Sequence, residues 1–304
     1  MKKYMFGIMV LLILVLAACG NNGEENNANQ DKNEDTITYE SETGPIEVPA
    51  DPQRVVVLSS YAGDVIQLGV NIVGVDSWSA NNPNFEEGLK DAEVVSNEDL
   101  EKIIELDPDL ILGLNNIENA DKLQEIAPTV LFTYGKNDYL QQHIEIGKVL
   151  NKEEEAKEWV EDFKARAAEA GEEIKQEIGE DATVTVIENF EKQFYLFGDN
   201  WARGTEILYQ EMGLNMPEKV EEVALEPGYF AISQEVLGDY AGDYIVMSLT
   251  SEQDTSFLDS NWYNEVPAVK NDQVIEADAN KFYFNDALSL DYQLDFFKEQ
   301  FLNN

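Results

Sequence analysis

A tryptophan and an arginine stand two positions apart in the stretch Asp199-Asn200-Trp201-Ala202-Arg203-Gly204. The run leading in, Thr183 to Phe197, reads as strand and ends Tyr195-Leu196-Phe197 before Gly198. The run leading out, Thr205 to Met212, reads as helix. A strand-to-helix junction opened by Gly-Asp-Asn thus carries a flat apolar wall beside a planar fork of N–H donors. That pair suits an oxygen-rich, partly apolar small molecule. The same residues also suit a turn whose Trp packs inward and whose Arg meets one of many carboxylates, and the six residues alone do not separate the two. Arginine usage adds a hint, because the chain has only Arg54, Arg166 and Arg203 and fills its other basic positions with Lys. Arg54, ahead of a strand, and Arg166, in a charge-rich helical run, have ordinary structural explanations. An Arg at 203 points to fork geometry.

Other chemistries find less support. The single histidine, His143, lacks the clustered partners that a metal-ion site needs, and its helical stretch suggests a surface or capping role. Cys19 is the one cysteine, so disulfides and Cys-ligated metals are excluded. No Gly-x-Ser-x-Gly elbow, P-loop or dinucleotide fingerprint is present, which leaves an enzyme only a carboxylate pair hidden among 61 Asp and Glu. Those acids face 20 Lys and Arg for a formal charge of −41, so no basic stripe offers itself to nucleic acid. A bare anionic bilayer would also repel the chain.

The elements that must position these residues follow from the order of the chain. Lys2 and Lys3, an apolar run from Met5 to Leu16 and Leu16-Ala17-Ala18-Cys19 read as a signal peptide over 1–18 that closes in a lipobox, with Cys19 as the lipidated residue. An Asn/Glu-rich tether over 19–36 is too poor in apolar residues to fold. An N-terminal α/β lobe is expected over 37–137. It opens with a hairpin and continues with the buried strands Val55–Leu58, Gly69–Val75, Asp109–Leu114 and Thr129–Tyr134, alternating with helices, so the sheet should be mostly parallel. Over 138–179 a spanning helix region is expected, where Ala156, Trp159, Phe163, Ala167, Ala170, Ile174 and Ile178 form one stripe. Gly171 marks a kink or an early end within it. A second α/β lobe is expected over 180–304, closing with an amphipathic helix from Leu288 to Leu302. Ligands of open α/β sheets bind beyond the carboxyl ends of strands, where Tyr61 follows the first buried strand and Trp78 the second.

Two α/β lobes joined by one long helix on a lipid tether describe a solute-binding protein with a stiff hinge. The sequence resembles the iron-siderophore class of ABC-transporter binding lipoproteins, most closely the ferric-hydroxamate branch of Gram-positive bacteria. The resemblance rests on Pro52-Gln53-Arg54-Val55 with Tyr61-Ala62-Gly63, Pro108-Asp109-Leu110-Ile111, Ala127-Pro128-Thr129-Val130, Gly198-Asp199-Asn200-Trp201-Ala202-Arg203-Gly204, Tyr240-Ala241-Gly242-Asp243-Tyr244 and Asn285-Asp286. It implies a ferric siderophore held between the lobes by Trp201, Arg203, Tyr195 and Tyr283 from the second, facing Tyr61 and Trp78 from the first. The siderophore would hold the iron, so no resident cofactor is expected. Phe194, Phe197, Phe282 and Phe284 would crowd the pocket without hydroxyls. The resemblance also implies a monomer that docks on an ABC permease, with its ATPase, through Glu101 and Glu235 at the outer face of the cell membrane. The scarcity of Arg argues against strongly anionic catecholate or polycarboxylate complexes as preferred ligands, with a mixed citrate-hydroxamate or catecholate siderophore left as the alternative. Haem and cobalamin are further carriers that nothing in the sequence favours.

Overall fold

The computed structural model describes residues 35–190, 193–251 and 253–303; the leader over 1–18, Cys19 and the tether to residue 34 lie outside them. The described chain opens with a hairpin, β1 (Thr36–Ser41) against β2 (Gly44–Pro49), with Tyr39 and Val48 packed inward. Val55-Val56-Val57 then forms β3, with Val55 and Val57 in one apolar layer and Val56 in the layer on the other face. A strand buried on both faces has no room for alternation, which is why the run reads as continuous valine. From β3 the chain moves outward through β4 (Ile72–Val75) and β5 (Glu93–Val94). It then returns to the other side of β3 as β6 (Leu110–Leu114) and β7 (Thr129–Phe132). The spatial order is β5-β4-β3-β6-β7, all parallel. The reversal of direction falls between β3 and β6, and the loop after β3 carries Tyr61 past their carboxyl ends.

The second sheet holds β8 (Val184–Phe190), β9 (Gln193–Phe197), β10 (Tyr229–Ile232), β11 (Tyr244–Leu249) and β12 (Val274–Asp278). Their order is β10-β9-β8-β11-β12. β8, β11 and β12 are parallel, whereas β9 runs antiparallel to β8 and β10 antiparallel to β9. The strand-like run to Phe197 is therefore a tight hairpin, and its register sets Tyr195 opposite Glu188.

The spanning helix runs unbroken from Glu153 to Ile178. Gly171 neither kinks nor ends it. A Cβ there would overlap the Met212 carbonyl oxygen, so the glycine admits a neighbouring backbone. The helix buries Ala156 in the first-lobe core and Phe163, Ala167, Ala170 and Ile174 in the second. The C-terminal helix Ala287–Leu302, expected to belong to the second lobe, also serves both. Phe284 just ahead of it and Leu288 pack on the first-lobe core, while Leu290, Leu294, Phe297 and Phe301 fill the second. Its Asp291 accepts from Gln67 of the first lobe and from Trp159 and Arg166 of the spanning helix. The described residues form one compact unit. Among the described residues no helix is long and apolar enough to cross a membrane.

Candidate functional site

The turn ahead of the second-lobe site is strained. Ala202, Arg203 and Gly204 are consecutive residues at φ 56°, 58° and 82°. For Ala and Arg the left-handed region costs roughly 1–2 kcal/mol each, so something must hold them there. Thr205 Oγ1 accepts from Trp201 N at 3.2 Å and donates to Ala202 O at 2.8 Å. Glu206 accepts from Ala202 N and Asn285 Nδ2, both at 2.9 Å, and Arg203 N donates to Phe282 O at 2.6 Å. Burial pushes the Glu206 carboxyl above the usual carboxylate range. The helix that follows, Glu206–Glu211, is wound wide, in the π manner.

This clamp aims Arg203 at three acceptor oxygens on two residues. Its Nε and Nη2 donate to the two carboxylate oxygens of Glu188, each at 3.2 Å, and Nη1 donates to Trp201 O at 3.2 Å. Ser248 Oγ donates to the same carboxylate at 3.0 Å. The guanidinium carbon lies 4.8 Å from the ring centroids of both Phe197 and Tyr283. Stacked and bidentately paired, the group is fixed in orientation. Three of its N–H groups are thereby engaged and two are left for a ligand. Tyr283 in turn stacks against Trp78 of the first lobe, at 5.3 Å between centroids and 28° between planes. Burial, then the Glu188 charge, pushes the Tyr283 phenol upward, so it stays a donor at neutral pH.

Both sequence-level readings of this stretch hold in part. Arg203 does pair with a carboxylate, as the turn reading expects. Trp201 does not pack inward: it is 41% exposed, its indole lies over the Gly228 backbone, and Tyr229 meets it edge-on at 5.0 Å. Tyr195 continues the row, 6.1 Å from Tyr229. Tyr229 and Glu188 were not singled out from the sequence. The available signals were a Pro-Gly ahead of Tyr229 and a lone carboxylate in the apolar strand Val184–Glu188.

Beside this cluster lies a cleft of about 670 Å³ between the lobes. Tyr61, Tyr134 and Tyr139 line it from the first-lobe side, and Asn200, Trp201 and Gln210 from the second. Trp201 belongs to both cleft and cluster, whereas Arg203, Tyr195, Tyr283 and Trp78 stand outside the cleft lining. Tyr61 is buried, its ring 5.3 Å from Phe132, and burial followed by the nearby Asp64 charge pushes its phenol well above the ordinary range. The four phenylalanines expected to crowd the pocket are buried, and two of them support site residues from the core. Phe194 and Phe282 are wholly buried, Phe197 lies beneath the guanidinium, and Phe284 supports Trp78 from the first-lobe core at 5.7 Å. The apolar side chains of a strand and of a segment leading into a helix fill cores first.

His143 also departs from expectation. It is 1% exposed, with Nδ1 2.9 Å from Asp64 Oδ1 and its ring 4.8 Å from Trp159. The helix Tyr139–Val149 turns this face toward the lobe junction, a placement that local periodicity does not reveal. Asp64 also accepts from Ala287 N at 3.1 Å, and the neighbouring Asp286 caps the C-terminal helix through Ser289. Among the described residues, no group of three or more His, Cys, Asp or Glu could hold a metal ion.

Comparison with known proteins agrees with this architecture. The periplasmic binding protein family matches residues 55–281. The iron(3+)-hydroxamate-binding protein FhuD of Bacillus subtilis is 37% identical over 95% of this chain and 94% of its own. YxeB of the same organism, also described as an iron(3+)-hydroxamate-binding protein, is 34% identical over 97% and 95%. Among solved structures, FhuD2 of Staphylococcus aureus with bound ferrioxamine B superposes with a TM-score of 0.76 at 34% identity, covering 83% of this chain and 99% of that one. A lobe pair bridged by a continuous helix, a cleft between the lobes and a match over most of the folded chain agree, and the chain belongs to the periplasmic binding protein family of solute-binding proteins.

Proposed function

We propose that this chain binds a ferric hydroxamate siderophore between its lobes and hands it to an ABC permease. The observation that carries the reading is Arg203, clamped between Phe197 and Tyr283 with two N–H groups unspent, beside the aromatic faces of Trp78, Trp201, Tyr195 and Tyr229. A ferric hydroxamate presents a compact shell of oxygens on a largely apolar backbone. The guanidinium edge and the buried phenol of Tyr61 supply donors to the oxygens, and the rings cover the backbone. The siderophore coordinates the iron, so the chain needs no metal ligands of its own. Relatives that are described as iron(3+)-hydroxamate-binding proteins support the same class of ligand.

The exposed tryptophans provide the assay. Titration with ferric hydroxamates should quench their fluorescence with saturation at one complex per chain, and Arg203→Ala should weaken binding at least about tenfold, or ~1.4 kcal/mol. Arg166→Ala should leave affinity unchanged, because Arg166 is occupied with Asp162 and Asp291. Saturable quenching only by catecholates, haem or cobalamin would remove the hydroxamate assignment.

Delivery would use Glu101 and Glu235. Each is exposed in the first turn of a short helix, and neither belongs to an ion pair among the described residues. Basic residues of the permease would set register on this pair more than raw affinity. Replacing both with Ala should leave ligand binding intact and abolish uptake in cells; uptake at the original rate would refute the docking role. A monomer held at the outer face of the membrane by a lipid on Cys19 completes the reading, supported by the Leu-Ala-Ala-Cys sequence.

A further inference from the structure

We infer that Glu188 sets the charge preference of the site: cationic and neutral ferric hydroxamates are favoured, and anionic ferric complexes are disfavoured. This deepens the hydroxamate reading and rests on it. The one arginine of the site does not offer a bare positive charge, since both Glu188 oxygens lie 3.2 Å from its nitrogens. Glu188 is itself 6% exposed and tied to Ser248, and the β8–β9 register holds it behind the guanidinium. Drawing the two apart would leave a buried carboxylate without its cation, so the pair enters the complex as a unit. What faces the ligand is a neutral donor edge.

Among the described residues that line the cleft, no unpaired amine or guanidinium makes good the loss. The cleft beside Arg203 is lined by Asp64, Asp138 and Asp199, and by Glu206 and Asp286, whose carboxyls burial holds toward the neutral form, against one amine, Lys136. That amine is already 3.4 Å from Glu42. A complex with surplus negative charge would find hydrogen-bond donors and no compensating field, under the repulsion of a chain at −41. One with a cationic tail would find the carboxylates attractive.

Ferrioxamine B allows a test at constant iron coordination, because its free amine can be left cationic, acetylated to neutral or succinylated to an anion. The wild-type chain should bind in the order cationic, neutral, anionic, with about tenfold or more between the ends. Glu188→Gln keeps the shape and an acceptor for Arg203 while removing the charge. It should narrow the cationic-to-anionic ratio about tenfold, chiefly by tightening the anionic derivative. A merely positioning role would weaken all three alike, and an unchanged ratio overturns the inference. A measurement on the wild type guards against a variant that fails to fold. Added salt should weaken the cationic ligand and strengthen the anionic one, whereas parallel salt slopes would refute charge selection. If none of the three bound, the hydroxamate reading itself would fall; equal binding of all three to the wild type would remove only the charge filter.

Discussion

At the scale of single residues, the site depends on a local conformation that the chain resists. Ala202 and Arg203 occupy left-handed backbone at φ 56° and 58°, held there by the Thr205 and Glu206 contacts and by the bond from Arg203 N to Phe282 O. Ala202→Gly should relieve part of this strain, raising the urea midpoint and with it the unfolding free energy by up to about 1 kcal/mol, the gain being reduced by the greater freedom of unfolded glycine. A lower midpoint would mean that the Ala202 methyl packs more favourably than its backbone is strained. Arg203 was legible in the sequence because arginine is scarce and its neighbours are a Trp and a Gly. Its partner was not. Glu188 reaches it only through the hairpin register of β8 and β9, and one acid among 61 carries no mark of its pairing.

At the scale of elements, what was legible is what repeats. Valine-rich strands, the apolar stripe from Ala156 to Ile178 and Pro-Asp ahead of β6 each declare their element by local pattern. Elements that depend on a distant surface stayed hidden: the fold-back at Phe190, the wide helix after Gly204 and the inward face of His143. Gly171 shows the difference. Intrinsic propensity favours Gly171→Ala by about 1 kcal/mol. The Met212 carbonyl occupies the space that the methyl would need. The variant should therefore melt several degrees lower than the wild type, by calorimetry or circular dichroism, and a higher melting temperature would show that the backbone can yield. Tyr61 and Trp78 were placed by a rule of topology, and they flank the lobe junction because both follow adjacent parallel strands.

At the scale of the whole molecule, the lobes meet over buried charge. Burial, followed by the Asp64 charge, pushes the Asp286 carboxyl up to about 7 from an ordinary value near 3.8. The folded state thus holds its proton more tightly than the unfolded chain. Its stabilising contribution is complete below about 4 and is lost as pH rises through 7. Asp286→Asn can still accept from Ser289 N, so it should raise the melting temperature at pH 8 and leave it unchanged near pH 4. An equal shift at both values would place the effect in packing instead. The two-lobe plan was legible from alternating strands and helices, but the shared C-terminal helix was not, because an amphipathic stripe does not say how many cores it enters. That helix also orders events in time. Phe284 to Phe301 follow every strand of both sheets in chain order, yet these residues close both cores. Neither lobe can finish before this helix is synthesised, as an N-terminal domain ordinarily would. The nascent chain therefore stays open until the helix Ala287–Leu302 has emerged, whatever the order in which its strands pair.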